Sequence, residues 1–253
     1  MDIKYQRNYL TEVIVKIDFL NPINSLEDKF PANLKPEIKR LFPIAEPQDI
    51  IAGEFQIKQS PDSSNIKSNK KNLKNWNFYD KNRNKLLQIS YKDMYIIFKV
   101  YESFEDFKVC FIDVTDSLFK EFEELQIKRL GLRYTNNIEI PDRDPFCWEG
   151  YLNKDLLSIF NIPQDKTKII RAFHNLELNY EHFNMRFQYG MHNPDYPAPI
   201  KKKIFILDYD AYCNGILTKD DIFKYLPIFH EGVQRLFENS ISDKLRIKLN
   251  EEK

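Results

Sequence analysis

Glycine is scarce, with six in 253 residues. Loops that cradle a phosphate need glycines where backbone amides close on the anion, and this chain has little material for one. Neither a P-loop, nor GxGxxG, nor the GxSxG nucleophile elbow occurs. Cysteine is scarcer still. Cys110, Cys147 and Cys213 are odd in number and far apart, which argues against a disulfide or zinc framework and predicts buried or half-buried thiols in a reducing compartment. Net charge is missing too. The 38 Lys+Arg balance 38 Asp+Glu, so no overall field draws nucleic acid or an anionic membrane, and any such surface is local. His174, His182, His192 and His230 fit no HExxH or related spacing, so neither a metal nor a cofactor is expected. No apolar run reaches the length of a signal peptide or a membrane span. With the free cysteines, this gives a cytoplasmic address as the expectation.

What the chain does have is core material: 42% hydrophobic and 14% aromatic residues, enough for a folded unit of this length. Its centre is Gln126 to Pro141. Leu130, Leu132 and Tyr134 alternate there with Arg129, Gly131, Arg133 and Thr135, the period of a half-buried strand. Gly131 inside such a strand implies a bulge or a group packed close above it. Asn136-Asn137 suits a bend, and Pro141 ends the strand.

The remaining elements follow from period and punctuation. Glu12 to Leu20 alternates as a strand. Ser25 to Phe42 has helical spacing, broken by Pro31 and firmer from Pro36. Ile50 to Lys58 predicts a strand, and Gln59 to Asn72 a polar surface loop. Leu73 to Tyr79, Lys85 to Tyr91 and Met94 to Tyr101 predict three more strands. Ser103 caps a helix with one apolar stripe from Phe107 to Leu125. After the central strand come a weaker helix at Trp148 to Phe160 and strands at Ile169 to Tyr180, Phe183 to Met191 and Lys203 to Tyr212. A last helix opens at Thr218, with Pro227 expected to kink or restart it.

The expected class is α+β. The chain reads as two tandem repeats, β-α-β-β-β-β-α over residues 1–125 and β-α-β-β-β-α over 126–253, each an antiparallel sheet on its C-terminal helix, fused through one sheet. That layout resembles the TATA-binding-protein-like (helix-grip) architecture. Several strings are more specific: Tyr5-x-Arg7-Asn8-x-Leu10, Arg129-Leu-Gly-Leu-Arg-Tyr134-x-Asn136, Leu207-Asp208-Tyr-Asp210, His230, and Leu236-Phe-Glu-Asn-Ser-Ile-Ser-Asp-Lys-Leu-Arg246. From Tyr5 to Arg246 the chain is similar to a sporadically distributed family of uncharacterised bacterial proteins. The resemblance brings no activity with it. It implies only the kind of genetic neighbourhood that patchy genes share, namely mobile, defence or toxin–antitoxin cargo. Ser242 stands where the resemblance leads one to expect Thr.

Candidate functional residues fall into two groups. Asp208 and Asp210, two apart on a strand, share one face. They read either as hard oxygen ligands for magnesium or as partners of Arg129, Arg133, Arg171 and Arg186. The second reading is preferred, because no further carboxylates cluster nearby, and it predicts an Arg/Asp network across the sheet. The other group is basic. Between Pro61 and Lys85 seven cations face two acids, with Lys67, Lys70, Lys71, Lys74 and Arg83 set among Trp76, Phe78 and Tyr79. Lys201, Lys202 and Lys203 form a second run. Cations interleaved with aromatics suit single-stranded nucleic acid, while a solvated loop leading into a strand has the same composition. His230 lies near the stripe of the last helix and reads as a packing residue with a polar tip.

The sequence therefore leads to a non-catalytic adapter for a partner protein, encoded nearby in a bacterial defence or toxin–antitoxin-like system. A nucleic-acid-binding module using the basic residues is the alternative. An enzyme with a site assembled from distant strands is the third reading.

Overall fold

We describe a computed structural model of the chain at residues 5–60, 63–142 and 144–250, with backbone alone at 52, 54–60 and 63–69. The architecture is α+β around one ten-stranded sheet. Its central pair is β1 (Leu10–Phe19) and β7 (Ile127–Glu139). Outward from β1, with β2 (Ile44–Ala45) and β3 (Gln48–Ser60) both on β4 (Ser63–Tyr79), the order runs through β6 (Asp93–Phe98), β5 (Lys85–Ile89) and β4. Outward from β7 it runs through β10 (Ile204–Leu217) and β9 (Asn184–Met191) to the last strand, β8 (Ala172–Asn179). Every pair of named strands is antiparallel. Tandem β-α-β units do not stand apart as such, because β1 and β7 hydrogen-bond directly and leave no break between the halves.

Alternation decides which face is covered. Val13, Val15 and Ile17 of β1 are fully buried, while Glu12, Lys16 and Asp18 lie on the opposite face. Leu130, Leu132 and Tyr134 of β7 continue the buried face, as do Leu207, Tyr209 and Ala211 of β10. Two long helices cover it. Helix α1 (Leu34–Leu41) packs on α2 (Phe104–Glu121), and α2 in turn meets α4 (Lys219–Ser240), with the short α3 (Lys154–Leu157) between them in sequence. Ser103 caps α2 by accepting from the Asp106 amide, and Thr218 with Asp221 forms a full capping box on α4. Phe107, Phe111 and Phe229 are fully buried under these helices. Each such side chain contributes about 1.5–3 kcal/mol relative to exposure, so the helices are held by packing more than by propensity. A last helix, α5 (Asp243–Asn250), follows α4.

Four expectations are corrected. Gln59 to Asn72 is not a loop: apart from 61–62, which lie outside the described residues, it belongs to the β3–β4 hairpin. Apart from Pro61, Ile66 is the one apolar residue of that stretch, so no period-two signal marks it. Trp148 to Phe160 is not one helix but α3 and a 3-10 turn at Ser158–Asn161. The central strand does not break off at Asn136-Asn137; β7 runs through both, Asn136 pairing with Leu10 and Leu207 and Asn137 with Ile206. Helix α4 does not restart at Pro227, which lies inside one helix. Among the described residues, no helix is long and apolar enough to cross a membrane.

Candidate functional site

The open face of the sheet carries an ion-pair network. Arg133 donates to both oxygens of Asp208, from Nε at 2.8 Å and Nη2 at 2.6 Å. Arg186 and Arg129 both reach Asp210 Oδ2, at 2.6 and 3.4 Å. Asp208 and Asp210 are buried by these partners. Arg129 also lies over the Tyr212 ring at 4.9 Å and over Gly131, where an added Cβ would come within 2.6 Å of its guanidinium. Gly131 therefore sits beneath a packed side chain, and the register shows no bulge there. Lys16 extends the network to Asp18 at 2.9 Å and Asp93 at 3.1 Å. Arg171, expected in this network, instead lies over the Tyr196 ring at 4.3 Å. The hydrogen bond to Asp208 raises the Arg133 guanidinium above its ordinary value. These carboxylates are committed to arginine, and among the described residues no three His, Cys, Asp or Glu side chains gather as a metal site would require.

The basic candidates do not form one cationic surface. Lys71 pairs with Glu27, Lys74 with Asp49 at 2.8 Å, Arg83 with Glu46 and Lys202 with Glu139 at 4.0 Å. Lys203 is buried, its Nζ 2.8 Å from Asp142 and 4.7 Å from the Tyr151 ring centre. It faces the interior and cannot meet a phosphate, which corrects its place among the nucleic-acid candidates. Lys70 and Lys201 are exposed, and the Lys67 side chain lies outside the described residues. Trp76 and Phe78 pack against Phe30, with ring centres 5.5 and 4.9 Å away, so their faces are not free for bases. The thiols divide unevenly. Burial pushes Cys110 and Cys213 up to about 11, whereas Cys147 is exposed, against the expectation for it.

A cavity of about 140 Å³ opens on the helical side of the sheet, between the N-terminal segment, β7, the start of α2, and α4. Tyr134 projects into it from β7. Its hydroxyl lies 2.9 Å from His230 Nδ1 and 3.3 Å from the Tyr101 hydroxyl. His230 stacks flat on Phe104, with 3.9 Å between centroids and 3° between planes. Tyr5 closes one side by donating to Glu238 at 2.8 Å, and Arg246 Nη2 holds the same carboxylate at 3.0 Å. Burial and that bond to Glu238 push the Tyr5 hydroxyl up to about 12. The Arg7 amide donates to the Leu249 carbonyl at 2.9 Å, which fixes the N-terminal segment against α5.

This cavity was not anticipated. Its parts were nevertheless among the strings singled out in the sequence: Tyr5, Arg7 and Asn8 from the first, Tyr134 and Asn136 from the second, then His230, and Phe237 with Glu238 from the last. Far apart in the chain, they line one space. His230 does pack on an aromatic ring, but its polar tip is joined to Tyr134. Tyr101 and Phe104 carried no signal beyond the helix cap beside them. No family model matches the chain, and no curated protein matches it.

Proposed function

We propose that the protein is a non-catalytic interaction module that docks a partner protein, one encoded nearby in a bacterial defence or toxin–antitoxin-like system. The observation that carries this reading is β8. It ends the sheet, with Phe173 47% and Leu176 43% exposed on its opposite faces. An edge strand presents a row of backbone donors and acceptors, and such edges are commonly blunted by lysine or proline. β8, Ala-Phe-His-Asn-Leu-Glu-Leu-Asn, has neither. An extended partner segment adding to this edge gains main-chain hydrogen bonds, with apolar contacts to Phe173 and Leu176. The nucleic-acid alternative draws less support, because four of the eight basic candidates are already paired on the surface and a fifth, Lys203, is buried.

We also read residues 1–125 and 126–253 as fused repeats. In support, each half starts from a central strand, moves to the edge of the sheet and returns inward to a long helix, by β4, β5 and β6 in the first half and by β9 and β10 in the second.

The test is a pull-down from the source cells, with and without nuclease. A stoichiometric protein that survives nuclease and is lost with Phe173→Lys/Leu176→Lys supports docking at β8. Recovery of RNA or DNA, lost instead with Lys70→Glu/Lys71→Glu, overturns it in favour of nucleic-acid binding.

A further inference from the structure

The cavity beneath α4 carries an inference of its own, independent of docking at β8. Its size comes first. About 140 Å³ is close to the roughly 150 Å³ of an engineered apolar cavity that accepts benzene. It therefore has room for one six-membered ring and not for a large ligand. Its walls suit a flat guest: the stacked Phe104 and His230 rings form one side, and Val233 and Phe237 of α4 add apolar surface.

Its polar equipment is more selective. Asn136 lines the cavity at 5% exposure. Its amide nitrogen donates to the Leu207 carbonyl at 3.5 Å, and no donor among the described residues reaches its side-chain carbonyl oxygen. That oxygen is therefore the acceptor the cavity lining leaves for a guest, and a ligand N–H would pair with it. The charges around the mouth are of both signs, Arg7 against Glu102, and Glu238 is already held by Tyr5 and Arg246. Neither an anion nor a cation is favoured.

We infer that this cavity binds one small, neutral, planar heteroaromatic ring bearing an N–H donor, the chemistry of a pyrimidine base, with the N–H directed to the Asn136 carbonyl. The ring is supplied either as a free base or as a nucleoside whose sugar stays at the open mouth.

The experiment is calorimetric titration of the full chain with uracil, cytosine, uridine and cytidine, and with 1,3-dimethyluracil, which keeps the ring and lacks N–H donors. The expected result is saturable binding of a base or its nucleoside and at least tenfold weaker binding of 1,3-dimethyluracil. Asn136→Leu removes the acceptor at similar volume and should weaken uracil at least tenfold. Val233→Phe fills the space and should abolish binding while thermal melting stays cooperative. Binding of bases but not nucleosides identifies the free base as the source; binding of both identifies the nucleoside. The inference is overturned if none of the four probes binds, if 1,3-dimethyluracil binds as tightly as uracil, or if Val233→Phe leaves binding unchanged. Should Asn136→Leu not fold, the comparison of uracil with its dimethyl analogue on the wild-type chain decides.

Discussion

Tyr5 ties the N-terminal segment to α4 through one carboxylate, and its titration should be visible in stability. The hydroxyl is held near 12 in the folded chain against an ordinary 10. Between those values the folded state keeps a proton that the unfolded chain releases. The contribution is therefore complete below pH 10 and is lost as pH climbs through 12. Tyr5→Phe should lower the melting temperature at neutral pH, because the Glu238 hydrogen bond goes, and should flatten its fall between pH 10 and 12. The flattening is partial, since burial also raises Tyr95, Tyr189 and Tyr209. Melting curves across that range check this, and an unchanged slope would refute it. The residue scale is also where the sequence was hardest to read. Asn136 looked like a turn residue, yet in β7 it is buried. Only the strands on either side of it reveal that.

At the scale of elements, the open face of the sheet is held by side chains that bridge strands. Arg133→Met leaves Asp208 buried without its bidentate partner and should cost roughly 1–3 kcal/mol. Adding Asp208→Leu should recover part of that loss, since replacing both members of a pair by apolar groups is close to neutral. Urea unfolding of the two variants measures this; a single variant within about 0.5 kcal/mol of wild type would show the pair to be ornamental. Elements with one buried face were legible for the same reason that they are stable. In β1, β7 and β9 and in the two long helices, the burial pattern is the hydrophobic pattern. Ile50 to Lys58 and Leu73 to Tyr79 were legible as strands of the β3–β4 hairpin; its outer part and α5 were not. Ile66 is the one apolar residue from Ser63 to Asn72, and α5 is short, with Leu245 and Leu249 its only buried residues. The network among Arg133, Asp208 and Asp210 could be anticipated from parity along a strand. The cavity could not, because it depends on which strands become neighbours.

For the whole molecule, continuity across β1 and β7 predicts a single unfolding event. The two tryptophans sit on opposite sides of that seam, Trp76 in β4 and Trp148 before α3. Trp76→Phe and Trp148→Phe each leave one reporter, and their denaturation midpoints, corrected for the stability of each variant, should coincide with the loss of far-UV signal. Separate midpoints would mean that the halves are thermodynamic units of their own. The seam also sets a clock for synthesis. Val13 of β1 pairs with Tyr134 of β7, 121 positions later in the chain (134 minus 13). At 5–20 residues per second, one edge of the first strand made waits roughly 6–24 s for its mate to emerge from the ribosome. During that interval the β7-facing edge of β1 is open to whatever else is being made nearby.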